Sequence, residues 1–202
     1  MKIINKIIPS LIVASSLINA DIAIDSVGAN FGWANIYADQ TNRTGSVALS
    51  NEPDEKYIQG EIYVLIGGVF DDKSWKPSIN YIQSRNNEFT NQIFMAGINK
   101  YFFKENYNLY AGLFIGMGRL DWKYNPISST SVDDRNVQSI VGALQAGVEY
   151  PITNSFSLGV NAKYYLHDYE TVLAPSSSVS VEINQKYSSS ITIGLRYLFG
   201  EE

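Results

Sequence analysis

Beyond residue 20 the chain alternates. Val27, Ala29, Phe31 and Trp33 stand at every second position, with Gly28, Asn30, Gly32 and Ala34 between them. A period of two puts one set on one face of a β-strand and the other set on the opposite face. The pattern recurs over 57–69, with Ile58, Ile62, Val64 and Ile66 against Gln59, Glu61, Tyr63 and Leu65. A third segment, near 75–83, sets Ile79 and Tyr81 against Ser78 and Asn80, and a fourth sets Phe94, Ala96 and Ile98 against Met95, Gly97 and Asn99. The fifth is the clearest: Leu109, Ala111, Leu113, Ile115 and Met117 against Tyr110, Gly112, Phe114, Gly116 and Gly118. Leu144, Ala146 and Val148 alternate with Gln145, Gly147 and Glu149. Leu158 to Leu166 alternate with Ser157 to Tyr165, and Ile191 to Phe199 with Ser190 to Leu198. The pattern predicts eight strands and an all-β fold.

The composition of the two faces decides where water and lipid lie. A soluble barrel hides its apolar face and shows a charged exterior. Here the polar face is mostly Gly, Ser, Asn and Tyr with isolated Glu61, Glu149, Lys163 and Arg196. Such a face suits a narrow interior, and the Leu, Ile, Val and aromatic face suits lipid. A two-sheet sandwich or a lipocalin-like barrel is the competing soluble arrangement.

The connections add to this. Short ones are expected around 71–74, 104–108 and 151–155, longer ones around 38–56, 84–91, 125–137 and 170–184. Tight turns at one end and longer loops at the other are the habit of outer-membrane barrels. Aromatic residues near segment ends, namely Tyr101, Phe102, Phe103, Tyr107, Trp122, Tyr124, Tyr150, Tyr197 and Phe199, are expected to form girdles at headgroup level.

Residues 1–20 have a basic start (Lys2, Lys6), a short apolar core and a small residue, Ala20, before Asp21. This is the layout of a secretory signal peptide, cleaved to leave a single domain over 21–202. Cleavage removes two Lys and no acidic residue, so the exported chain is more acidic than the formal −5 of the whole. That balance argues against a nucleic-acid partner, which needs a basic face. With no Cys there is neither a disulfide nor thiolate chemistry. Beyond residue 20 no run is long and apolar enough for a helical span, whereas a barrel strand needs only ~9–11 residues.

The closing segment Thr192-Ile193-Gly194-Leu195-Arg196-Tyr197-Leu198-Phe199 has a polar residue, Gly two places on, then aromatics three and five places after the Gly. It resembles the C-terminal insertion signal of outer-membrane barrels, with Thr192, Gly194, Tyr197 and Phe199 as the matching positions. Together with 147–154, it makes the chain similar to the outer-membrane protein β-barrel family of small eight-stranded barrels. Here Gly200, Glu201 and Glu202 follow the final aromatic, where that family ends on it. The resemblance implies an eight-stranded antiparallel up-and-down transmembrane barrel in a Gram-negative outer membrane. It also implies insertion by the barrel-assembly machinery and contact with outer-membrane lipids and lipopolysaccharide. It implies no single activity.

Chemistry is sparse. The sole His, His167, is followed by Asp168, Tyr169 and Glu170, and Ser188, Ser189 and Ser190 lie on the next strand. The parts for acyl transfer are present, but the His and Ser two places apart that the similar lipid A deacylases carry on one strand are absent. His167 is expected at the outer rim, half in water. No spacing suits zinc; Asp133-Asp134 and the acidic run Glu52, Asp54, Glu55 read as solvated loops, so no metal or cofactor is expected. Glu61, Glu149, Lys163 and Arg196 are expected to form an interior ionic network, with Glu149 and Arg196 paired near the periplasmic end, or else a selectivity lining. Arg119 and Lys123 follow a lipid-facing strand, where they meet lipopolysaccharide phosphate or simply water. The polar loops 39–56, 125–137 and 170–184, with Val172, Leu173, Val179 and Val181, are candidate extracellular binding surfaces. The reading is a non-enzymatic barrel with a packed polar interior and an envelope-structural or surface-interaction role. The alternatives are a narrow pore for small solutes and a lipid A modifying enzyme.

Overall fold

The computed structural model describes residues 22–42, 56–123, 136–176 and 179–199, with side chains for all but 38–42, 173–176 and 179–181. The expected signal peptide 1–20, Tyr124, the acidic positions 52–55 and 133–134, and 200–202 lie outside the described residues. So does most of the expected loop 125–137.

The strands are β1 (Ala23–Asn42), β2 (Lys56–Gly67), β3 (Trp75–Arg85), β4 (Phe89–Phe103), β5 (Asn108–Trp122), β6 (Asn136–Pro151), β7 (Phe156–Ser176) and β8 (Val179–Leu198). Each pairs antiparallel with its chain neighbour, and β8 closes on β1 through partners such as Phe31 and Ile193. Across the apolar band closure leaves no unpaired strand edge, which is what allows a sheet to sit in hydrocarbon.

The expected alternation places the side chains. Phe31, Trp33, Ile62, Phe94, Leu113, Ile115, Ile140 and Ile191 point outward and are exposed, while Asn30, Gln59, Glu61, Asn80, Asn99, Glu149, Lys163 and Arg196 are buried in the lumen. Glycines on the inner face make room for rings: a Cβ on Gly28 would meet the Tyr63 ring at 2.3 Å, and one on Gly147 the Tyr110 ring at 2.3 Å. Each Gly–Tyr pair is a register pair on adjacent strands.

The pattern then inverts along the barrel. On β5 the outward row runs Leu113, Ile115, Met117 and continues Arg119, Asp121, while the inward row runs Gly112, Phe114, Gly116 and continues Leu120, Trp122. On β6 Leu144 and Ile140 give way outward to Gln138 and Asn136, and Glu149 and Gln145 give way inward to Ala143 and Val141. Above the apolar band the barrel is therefore built like a soluble protein. Its lumen there is filled by Ile36, Tyr57, Ile82, Phe89, Ile93, Leu120, Trp122, Val141 and Ile183. The expected interior charges lie in the half nearer the termini, while in the outer half polar side chains such as Asn91, His167, Thr171 and Gln185 are buried beside the apolar cluster.

Three expected features differ. Residues 84–91 are not a longer loop: β3 runs to Arg85 and β4 starts at Phe89. Asn86 explains the tight turn, because its Oδ1 accepts from the backbone N–H of Glu88 (2.9 Å) and Phe89 (2.8 Å). Residues 170–184 are mostly strand, since β7 continues to Ser176 and β8 begins at Val179. Beyond Leu166, β7 pairs with β8 alone, and polar residues suit a strand whose other edge stands in water. Finally, Tyr101 and Trp122 are not girdle residues but lie buried in the lumen, Phe103 is exposed at the barrel mouth with its ring stacked on Tyr101, and Phe102, Tyr107, Tyr150, Tyr197 and Phe199 face outward near the end that carries the termini.

Candidate functional site

The half of the lumen nearer the termini is the polar site. Lys163 on β7 reaches across to Glu61 on β2, and both side chains are buried. Glu61 is well supplied with donors: Asn30 Nδ2 donates to Oε2 at 2.7 Å and Asn80 Nδ2 to Oε1 at 2.5 Å. The Lys163 ammonium also lies 5.4 Å from the centre of the Phe114 ring. Nearer the termini, Arg196 Nη2 stands 2.7 Å from Glu149 Oε2, and Nη1 donates to Tyr101 Oη at 2.8 Å. The four charges are thus two pairs of opposite sign, so the interior carries them without net charge. Polar links fill the space around them: Gln145 Nε2 donates to Asn99 Oδ1 (2.7 Å), and Asn161 Nδ2 donates to Gln145 Oε1 (3.2 Å).

His167 is the structure's correction to the expected rim position. It is 6 % exposed and points into the lumen. The register of β8 slips beside it, between Tyr37 and Ala38 on one side and between Leu166 and Tyr169 on the other. That bulge places the Gln185 carbonyl 2.8 Å from His167 Nδ1. A carbonyl only accepts, so Nδ1 carries the proton and Nε2 of the neutral ring is an acceptor for Ser188 Oγ, 3.0 Å away. Ser188 and His167 form a hydrogen-bonded pair that composition hinted at and only geometry could assemble. Asp168 and Glu170 point outward, away from it. The pair is oriented by a backbone carbonyl and the Tyr169 ring, 4.7 Å away, and not by a carboxylate.

At the outer rim Arg119 is exposed just beyond Met117 and is paired with Asp121 on its own strand, Nε to Oδ1 2.9 Å. Lys123 Nζ donates to the Asn86 carbonyl at 3.2 Å across the β3–β4 turn. In the closing strand Thr192 and Gly194 face the lumen, while Tyr197 and Phe199 face outward with ring centres 5.1 Å apart. Among the expected loop residues, Val172 is exposed; side chains of Leu173, Val179 and Val181 lie outside those described. At the opposite end, Asp72 in the β2–β3 turn accepts from Lys100 Nζ (2.7 Å) and from Ser74 N (2.9 Å) and Oγ (2.5 Å), which holds its carboxyl well below the usual carboxylate range.

A closed eight-stranded barrel with an apolar outer band and paired charges within can be compared with known proteins. The family model described as the putative OmpA-OmpF-like porin family matches residues 14–194. The chain belongs to this family. As a member of it, the protein is an integral outer-membrane β-barrel. The crystal structure of Neisserial surface protein A shares the fold at a TM-score of 0.59 and 16 % identity, covering 88 % of this chain and 99 % of that one. Ail, the attachment invasion locus protein of Yersinia pestis, solved with the heparin analogue sucrose octasulfate, gives a TM-score of 0.45 at 17 % identity over 88 % of this chain and 100 % of its own. The N-terminal barrel domain of Pseudomonas aeruginosa OprF gives 0.46 at 9 % identity over 88 % and 100 %. No curated protein sequence matches the chain.

Proposed function

We propose that this outer-membrane family member is a non-enzymatic, non-conducting barrel that serves as a surface-interaction scaffold with an envelope-structural contribution. The observation that carries the reading is the length of the strands. A tilted strand crosses the bilayer in ~9–11 residues, yet β1 and β8 have 20 residues each and β7 has 21. The surplus of about ten residues, at ~3.3 Å rise and a tilt near 40°, lifts a three-stranded collar of β7, β8 and β1 about 25 Å beyond the apolar band. Its base is packed through Ile36, Tyr169 and Ile183 into the apolar cluster, and such an anchored platform favours recognition over mere coverage of the barrel mouth.

The lumen supports the negative half of the proposal. Phe89, Trp122, Ile82, Leu120 and Ile183 fill the outer half, and an apolar constriction of this kind excludes water and ions. His167 and Ser188 face the same lumen and not the lipid face, so an acyl chain in the outer leaflet does not reach them. The rim positions of Arg119 and Lys123 support contact with lipopolysaccharide, the barrel-assembly machinery is the expected insertion partner, and the role needs no cofactor or metal.

The test is a deletion strain complemented with the intact chain or with a barrel whose 170–184 segment is replaced by a two-residue turn. Loss of cell-surface binding that only the intact chain restores supports the collar. Unchanged binding and envelope integrity in the deletion strain would sink it, and an altered lipid A mass spectrum on overexpression would favour an enzyme instead.

A further inference from the structure

The lipid-facing surface has a pit in it. Strand register lays out a grid of three rows on β1, β2 and β3: Trp33, Ile58 and Arg85; Phe31, Gly60 and Gln83; Ala29, Ile62 and Tyr81. All nine positions are on the outward face, and the central one is glycine. A Cβ built on Gly60 meets nothing within 4 Å. The result is a groove floored by Gly60 and walled by Phe31, Ile58, Ile62, Tyr81, Gln83 and Arg85. Phe31, Ile58, Ile62 and Tyr81 are what an acyl chain wants, and the polar side is Gln83 with Arg85 at the corner. That corner lies at the end away from the termini, where Arg85 is exposed and in none of the ion pairs among the described residues. Arg119, by contrast, is already engaged by Asp121.

We propose that this groove is a seat for one lipopolysaccharide molecule of the outer leaflet. One acyl chain lies over Gly60 between Phe31 and Tyr81, a lipid A phosphate is held by Arg85, and Gln83 hydrogen-bonds the ester or sugar between them. The inference rests on the outer-leaflet lipid contact put forward above and names its site, on β2 and β3 and not on β5. The chemistry follows from the grid. A guanidinium offers a planar fork of donors that matches phosphate, and it is strengthened where lipid excludes water. The groove is one residue wide, so it accepts a single chain. Trp33, in the same row as Arg85 and 69 % exposed, offers an aromatic face at the height where a glycolipid carries its sugars. That feature favours lipid A over a phospholipid of the same charge.

Gly142 provides an internal comparison. It too is outward with nothing within 4 Å of a built Cβ, but its register neighbours are Ile115 and Leu166 and the outward residue two places beyond Leu166 is the acidic Asp168, so the gap there has no cationic corner. It should take any chain and select none.

The test uses the full chain refolded in detergent micelles, with binding of bisphosphorylated lipid A followed by native mass spectrometry. Gly60→Leu fills the floor and Arg85→Gln removes the charge; both are outward, and folding of each is checked by the band shift between boiled and unboiled samples. The expected result is a loss of about tenfold in affinity for each, for Arg85→Gln the size of one charge-assisted contact and for Gly60→Leu the loss of the seated chain's burial. Gly142→Leu should bind as the parent does, and dephosphorylated lipid A should lose its dependence on Arg85. Parent-like binding by both Gly60→Leu and Arg85→Gln would overturn the seat. If Arg119→Gln or Lys123→Gln alone weakens binding, the rim contact stands and the groove falls. Equal, Arg85-dependent binding of phosphatidylglycerol would overturn the assignment to lipopolysaccharide.

Discussion

Leu120 and Asp121 are adjacent on β5 and face opposite solvents: Leu120 is 0 % exposed in the lumen, and Asp121 stands outward beside Arg119. Three residues earlier Met117 is 61 % exposed on the lipid face. Between Met117 and Leu120 the barrel changes from apolar outside to apolar inside, and that change marks the edge of the bilayer on this strand.

The contrast makes a stability prediction with its own control. Leu120→Ala deletes a fully buried side chain from a packed cluster and is expected to cost ~2–5 kcal/mol. Asp121→Ala removes only an exposed ion pair and is expected to cost at most ~1 kcal/mol. Urea unfolding in detergent, read from tryptophan fluorescence, would rank the two. Equal effects would mean that the outer half of the lumen is not packed.

The Glu61–Lys163 pair predicts a non-additive cycle. Glu61→Gln leaves the Lys163 ammonium buried beside a neutral amide, and Lys163→Met leaves a buried carboxylate held only by Asn30 and Asn80. Each single change is expected to destabilise by ~3–5 kcal/mol, because a lone charge is stranded in the lumen. The double variant should lose much less than the sum. Additive losses would show that the two groups do not meet across the barrel.

How far the sequence carried the reader depends on which side of that edge a residue lies. On β5 the run from Leu109 to Met117 alternates cleanly, and the eight strands and their outward face are legible there and in 191–199. Phe89, Ile93 and Phe94 were harder. Phe89 and Ile93 are apolar because they face the lumen above the bilayer, and Phe94 because it faces lipid, so the apolar period changes phase although the strand is continuous. That change of phase made 84–91 read as a loop and hid Arg85. The four interior charges were legible as inward-facing; that Lys163 reaches Glu61, 102 residues away in the chain, follows only from closure of the barrel. The pairing of His167 with Ser188 depends on the register slip between β7 and β8 after Leu166, for which neither strand's sequence gives a signal.

The apolar cluster also predicts the conductance. Trp122 packs edge-on against Phe89 with ring centres 5.5 Å apart, and its Nε1 donates to Thr171 Oγ1 at 3.1 Å. With this cluster in place, planar-bilayer recordings are expected to show no discrete openings. Removing both rings, Phe89→Ala with Trp122→Ala, is expected to admit small, flickering conductance, at a stability cost of ~3–5 kcal/mol for each ring. Steady single-channel steps from the parent protein would restore the narrow-pore reading.

Asp72 makes a prediction about pH. Its carboxylate is held by Lys100 and doubly by Ser74, so its folded titration lies below that of the unfolded chain, where an Asp titrates near ~3.9. A depressed carboxylate contributes stability that is fully present above the unfolded value and is lost as pH falls through the folded one. Carboxyl carbon chemical shifts of Asp72 are therefore expected to stay those of the ionised form through pH 4 and to change only in stronger acid. Lys100→Met keeps the stem near the Trp75 ring but removes the charge, and should raise the midpoint toward the ordinary value. Because the turn is open to solvent, the effect should shrink as salt is added. A midpoint unmoved by Lys100→Met would mean that Ser74 alone holds the carboxylate and that the link between this turn and β4 is incidental.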